Sequence, residues 1–127
     1  MKTAVETRQA PAAIGPYSQA VVDGRWMFCS GQIGLDPQTG TLVEGGVEAE
    51  SRRALENLRQ ILSKAGLGLQ DVVKTTLFVV DLGEFDVINR VYAEHFASPY
   101  PARSTVQVAA LPRGARIEIE AIALCRE

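Results

Sequence analysis

The chain has 127 residues, 46% of them hydrophobic and 22% charged, the length of a single domain over residues 1–127 with enough apolar material for a real core. The net charge is only −2, and the 13 Lys and Arg are scattered rather than gathered into a stripe, which argues against binding nucleic acid or a membrane surface. No run approaches the roughly 18 apolar residues of a membrane span, and the first residues, Met1–Thr7, carry an acid where a signal sequence would be apolar, so a cytoplasmic location is expected.

In chain order, Thr3–Thr7 reads as a first short strand, followed by an irregular loop from Pro11 to Pro16 with Tyr17 just beyond it. Gln19–Val22 and Trp26–Ser30 flank Asp23-Gly24, a strong hairpin signal, and Ser30 and Gly31 close the second strand. Asp36–Gly40 is a turn. After Gly45-Gly46, Val47, Ala54, Leu55, Leu58, Ile61, Leu62 and Ala65 recur at helical steps, and Gly66 stops the helix. Val72–Val80 is a strand rich in branched residues. Phe85, Ile88, Tyr92 and Phe96 mark a second amphipathic helix, which Pro99 and Pro101 bar from continuing.

The stretch Pro101–Cys125 reads as two short strands separated by a Leu-Pro-Arg-Gly turn. Alternation puts Arg103, Thr105 and Gln107 on one side of the first and Val106 and Val108 on the other. In the second, Ile117, Ile119, Ala121, Ala123 and Cys125 form a wholly apolar side. The opposite side, Arg116, Glu118, Glu120, Ile122 and Leu124, turns from charged to apolar, as if a ligand or partner subunit covered part of it. A guanidinium matches a carboxylate bidentately, and a nearby acid can carry protons, so Arg103 and Glu118 or Glu120 together describe a site for a small acid. Strands with two helices that each carry a single apolar stripe make a two-layer α+β domain, a mixed sheet with both helices on one face.

Three blocks carry a resemblance that spans almost the whole chain. Ala13-Ile-Gly-Pro-Tyr-Ser-Gln-Ala, Ser30-Gly-Gln-Ile-Gly, and Pro101-Ala-Arg-Ser-Thr with the Leu-Pro-x-Gly turn and Ile-Glu-Ile-Glu-Ala-Ile-Ala resemble the Rid family, also called the YjgF family, of reactive-intermediate imine deaminases. The resemblance implies a chorismate-mutase-like fold and a homotrimer whose uncovered sheet faces meet, with three equivalent clefts between subunits. It implies Arg103 as the clamp on the substrate carboxylate and Glu118 as the group that handles the attacking water, with Glu120 its rival on the same strand side. Tyr17 would enter the pocket from a neighbouring subunit, Ser30 and Gly31 would line it, and Asn89 would stand near it. Thr105 departs from the cysteine of many members; threonine cannot act as a thiolate, but its backbone carbonyl can still accept a hydrogen bond from the imine nitrogen.

The implied reaction is hydrolysis of the 2-imino acids formed when 2-aminoacrylate or its homologue leaves a pyridoxal-phosphate enzyme, giving a 2-keto acid and ammonia. No metal or cofactor is expected, because Cys29 and Cys125 form no C-x-x-C motif, His95 is the single histidine, and no glycine-rich phosphate loop is present. Members of the family are also described as ribonucleases or translation inhibitors, or as chaperone-like or ligand-sensing proteins. Lack of a basic groove argues against RNA cleavage, whereas Arg103 suits a passive small-carboxylate sensor as well as it suits an enzyme.

Overall fold

In the computed structural model, which describes residues 1–126, strands β1 (Thr3–Val5), β2 (Ala20–Asp23) and β3 (Trp26–Gln32) are followed by helix α1 (Gly46–Lys64) and strand β4 (Val72–Val79). Helix α2 (Phe85–His95), strand β5 (Ala102–Gln107) and strand β6 (Ile117–Leu124) complete the chain. The expected elements are all present. Their ends shift slightly: β1 stops at Val5 rather than Thr7, and β3 runs on past Ser30 to Gln32.

The strands form one sheet in the order β1-β2-β3-β6-β4-β5. Every pair is antiparallel except β4 with β5, which needs a crossover, and α2 supplies it. The two C-terminal strands are therefore not partners across the Leu111–Gly114 turn; β4 lies between them.

Helix α1 buries Val47, Ala54, Leu55, Leu58, Ile61 and Leu62, the stripe its three- and four-residue spacing dictates. It ends where Gly66 takes φ 79, so that the N–H groups of Gly66 and Leu67 donate to the carbonyls of Ser63 and Leu62. This paired arrangement satisfies two carbonyls that the helix would otherwise leave open, and its left-handed residue favours glycine. Helix α2 packs Ile88, Val91 and Tyr92 into the same core, and the Tyr92 hydroxyl shares a 2.8 Å hydrogen bond with the Thr75 hydroxyl of β4.

Both helices cover the sheet face that carries Met27, Leu77, Val79, Ile117, Ile119 and Ala121. The apolar side of β6 read from the sequence is thus the core side. Among the described residues no helix covers the other face. There Trp26, Phe28 and Val106 stay 47%, 44% and 41% exposed. Register sets Trp26 beside Leu124, Phe28 beside Ile122, and Val106 beside Phe78, so these apolar side chains adjoin one another across the strands.

Leu58 is fully buried between α1 and the sheet. Leu58→Ala is expected to cost about 2–5 kcal/mol of folding stability, read as a lower midpoint in denaturant unfolding at unchanged slope.

Candidate active site

Glu118 sits near the start of β6 on the face that no helix covers, opposite Phe78 of β4. On its other side β3 carries one residue more than β6 requires: Cys29 pairs with Ala121 and Gln32 with Ile119, so three steps on β3 match two on β6. Such a bulge bends a strand and re-aims its residues. Here it turns Gly31 onto Glu118. A side chain at Gly31 would put its Cβ 2.7 Å from the Glu118 carboxyl carbon and 2.8 Å from Cγ, closer than real contacts allow. A side chain at Gly31 would therefore displace the Glu118 carboxylate from this position.

The Glu118 carboxylate opens into a cavity of about 210 Å³ whose lining includes Ile14, Tyr17, Gly31, Leu35, Pro112 and Arg113. Apolar walls surround one acid and one phenol. The Ile14 N–H donates weakly to the Tyr17 hydroxyl oxygen at 3.4 Å, which leaves the phenol free to donate elsewhere. Burial, and secondarily the Glu120 carboxylate on the same strand side, push the Glu118 proton affinity above the ordinary carboxylate range. A larger groove of about 770 Å³ lies between Glu6, Arg8, Gln19 and Lys64, but it holds none of the residues singled out from the sequence.

Arg103 lies elsewhere. Its partner across the parallel β4–β5 pair is Thr75, a fully buried residue of the core face, so alternation sets Arg103 and Thr105 towards the helices and Val106 outward. The guanidinium carbon stands 4.9 Å from the Tyr92 ring centroid and 5.5 Å from that of Phe85. A cation over ring faces is held by the ring electrons, which leaves its N–H donors for other partners. Among the described residues, no carboxylate pairs with Arg103 and no hydrogen bond uses its donors.

Two further polar atoms in this region have no partner. The Thr105 hydroxyl and the Asn89 side-chain oxygen are both buried and unpaired among the described residues. Asn89 shares the face of α2 that carries Phe85 and Tyr92, four and three residues away along the helix.

The residues singled out from the sequence thus fall into two groups. Tyr17, Gly31 and Glu118 meet around one cavity; Arg103, Asn89 and Thr105 belong to the helix side of the β5 edge. Arg103 and Glu118 sit on opposite faces of the sheet with β4 between them, and within one chain they do not meet. Ser30 adjoins Gly31, but its hydroxyl donates to the Ser18 carbonyl at 2.6 Å, which anchors β3 to the loop before β2.

Several residues of the site were not apparent from the sequence. Phe85 and Tyr92 count there only as an apolar stripe, although their seven-residue spacing places both under one cation. Arg113, the variable residue of the Leu-Pro-x-Gly turn, takes the left-handed φ of 62 and donates to the Gly40 carbonyl at 2.8 Å, tying two turns at the cavity rim. Gln19 is buried and holds the loop before Tyr17 through Thr7, Ala10 and Pro11. His95 keeps to its helix, its Nδ1 bonded to the Val91 carbonyl at 2.7 Å. Burial pushes the Cys29 thiol up to about 12, so it offers no thiolate. Among the described residues no cluster of His, Cys, Asp and Glu could hold a metal ion, and no helix is long and apolar enough to cross a membrane.

A family model described as endoribonuclease L-PSP matches residues 7–125. The chain belongs to this family. Within it, the human protein named 2-iminobutanoate/2-iminopropanoate deaminase is 50% identical over 124 residues, 98% of this chain and 90% of the human one. The solved structure of RidA from the Antarctic bacterium Psychrobacter sp. PAMC 21119 superposes with a TM-score of 0.93 at 46% identity, covering 96% of this chain and 98% of that one. TdcF of E. coli, solved with bound serine, gives 0.91 at 47% identity, covering 98% and 99%. The Rid resemblance read from the three sequence blocks is borne out by these relatives. So is the two-layer α+β fold, with two helices on one face of a six-stranded sheet.

The Glu120 charge helps raise the proton affinity of Glu118, so removing it acts in the opposite direction. Glu120→Gln is expected to move Glu118 ionisation to lower pH, measured by carboxyl ¹³C titration.

Proposed function

We propose that the protein hydrolyses small 2-imino acids, including 2-iminopropanoate and 2-iminobutanoate, to 2-keto acids and ammonia. The observation that carries this reading is Arg103: a guanidinium 4.9 Å from the Tyr92 ring centroid and 5.5 Å from that of Phe85, with donors that no group among the described residues takes up. A charged donor fork held in one orientation and left unpaired suits a planar carboxylate. The human relative's name supplies the substrate class, and the serine bound to TdcF is an amino acid of matching size.

The working unit of this reading is a homotrimer. Its support is the uncovered sheet face with exposed Trp26, Phe28 and Val106, and the separation of Arg103 from Glu118 across the sheet. In a cyclic trimer the Arg103 edge of one subunit meets the Glu118 cavity of the next, and three identical sites follow.

In each site Arg103 fixes the substrate carboxylate, and the C=N carbon faces Glu118. Glu118 takes a proton from the water as it adds to that carbon and passes it to the imine nitrogen, giving the carbinolamine. Glu118 then takes the carbinolamine hydroxyl proton and passes it to the nitrogen as the C–N bond breaks, so that ammonia leaves and the carbonyl forms. The Thr105 carbonyl accepts a hydrogen bond from the imine N–H, and Gly31 lets the substrate reach the backbone beside it. Tyr17 closes the apolar wall. A carboxyl with raised proton affinity is suited to this exchange, since it takes and gives a proton nearer neutral pH than an exposed acid does. Addition of water to an imine needs little activation, so most of the rate gain comes from positioning.

The experiment is ammonia and keto-acid release when purified protein joins a serine or threonine dehydratase reaction. Arg103→Ala is expected to lower kcat/KM by about 10²-fold or more with the assembly intact. Glu118→Gln is expected to lower kcat by about 10²-fold with KM little changed. In wild-type enzyme kcat/KM falls as pH drops through the Glu118 ionisation, above the range of an exposed carboxylate. Tight carboxylate binding without accelerated hydrolysis, across several imino acids, would instead make the protein a small-carboxylate sensor.

A further inference from the structure

Asn57 of α1 is fully buried, and its amide reaches the chain that leaves β3. Nδ2 donates to the Ile33 carbonyl at 3.2 Å and to the Leu35 carbonyl at 2.9 Å. Turned over, the amide would set its oxygen against both carbonyls, so its orientation is fixed. That oxygen is buried with no partner among the described residues. An unpaired buried acceptor costs stability, which points to a use for this amide beyond holding the core.

β3 ends at Gln32, and the chain beyond it runs against α1. A Cβ on Gly34 would fall 2.7 Å from the Glu50 Cα, so the chain passes the helix backbone with no room for a side chain. Two turns before Asn57, Glu50 accepts the Arg116 N–H at 2.8 Å and its guanidinium at 2.7 Å, next to Ala115. Helix α1 thus holds both sides of a small second core, in which Ile33, Leu35 and Ala115 are closed over by Leu42 and Leu111. That second core is a wall of the Glu118 cavity, which Ile33 and Leu35 line together with Ile14, Tyr17 and Pro112.

In the proposed reaction Arg103 takes the substrate carboxylate, the Thr105 carbonyl the nitrogen, and Glu118 faces the C=N carbon. The substrate's side chain is the group left over, and the apolar wall is the surface left to meet it. We propose that Asn57 is a positioning residue for side-chain selectivity: by holding the Ile33 and Leu35 carbonyls it sets the wall against which the substrate's alkyl group packs. The inference rests on imine hydrolysis at Glu118. Ile33 and Leu35 touch the alkyl group, and Asn57 acts through them. The ethyl group of 2-iminobutanoate reaches one carbon further than the methyl group of 2-iminopropanoate, so its contact depends more on where the wall stands.

The test is the ratio of kcat/KM for 2-iminobutanoate, supplied by threonine dehydration, to that for 2-iminopropanoate, supplied by serine dehydration. Both values come from one preparation, so a loss of folded protein cancels and a purely structural role leaves the ratio unmoved. Asn57→Leu, of similar volume and without donors, is expected to lower the ratio about tenfold, the low end of what one methylene contributes in an apolar pocket. Leu35→Ala, which removes part of the wall itself, is expected to lower it as much, and adding Asn57→Leu to Leu35→Ala to change it little further. Where Asn57→Leu does not assemble, Asn57→Asp, of the same shape and without the paired donors, takes its place. An unchanged ratio in Leu35→Ala or in the assembled Asn57 variant, or changes that simply add in the double variant, would overturn the inference. No acceleration of either hydrolysis by the wild type would overturn the catalytic reading instead.

Discussion

The alternation of side chains along β4, β5 and β6 is the constraint on which the rest depends. Phe78 pairs with Glu118 on one side of β4, and Thr75 pairs with Arg103 on the other, so the two strand neighbours of β4 present their charged groups to opposite faces. A single small ligand bridges such groups only if one of them is supplied by another copy of the chain. The same alternation leaves Trp26, Phe28 and Val106 exposed on the face without helices, the apolar area that the proposed assembly would cover. In the proposed function, catalytic arrangement and assembly are two consequences of one register.

Each half of the site is made ready by packing rather than by polar contacts. Tyr92 is fixed by its hydrogen bond to Thr75 and by the core around it, and the Arg103 guanidinium lies over that fixed ring. The bulge in β3 brings Gly31 against Glu118 and narrows its access to water. Burial raises the proton affinity of the acid, in the direction that the proposed proton exchange calls for. The Glu50–Arg116 pair completes the frame at the point where β6 enters the sheet.

Much of the fold is legible in the sequence because its signals are periodic. The α1 stripe, the Gly66 stop and the apolar side of β6 each follow from spacing alone, and each lies in the core as that spacing requires. Pairing is not periodic. Nothing in Pro101–Cys125 says that β4 inserts between the last two strands, and alternation gives the relative sides of Arg103 and Val106 without saying which side meets the helices. The bulge at Ser30 and Gly31 depends on the partner strand, so a strand end is all the sequence suggests there. Asn57 is a further case: helical spacing puts it beside the buried stripe of α1, and only the fold brings it the carbonyls of Ile33 and Leu35. Tyr17, Ser30, Gly31, Arg103, Thr105 and Glu118 were recognisable from three sequence blocks, whereas the division of the site residues into two groups emerges only from three-dimensional register.

The most direct measurement of that division is complementation between two inactive variants. Arg103→Ala and Glu118→Gln chains would be unfolded, mixed in equal amounts, reassembled and assayed for imine hydrolysis. If each site takes Arg103 from one subunit and Glu118 from the next, random mixing gives about a quarter of the sites both intact groups, and activity returns to about a quarter of wild type. A mixture that reassembles fully but stays as inactive as its parents would contradict a site shared between subunits.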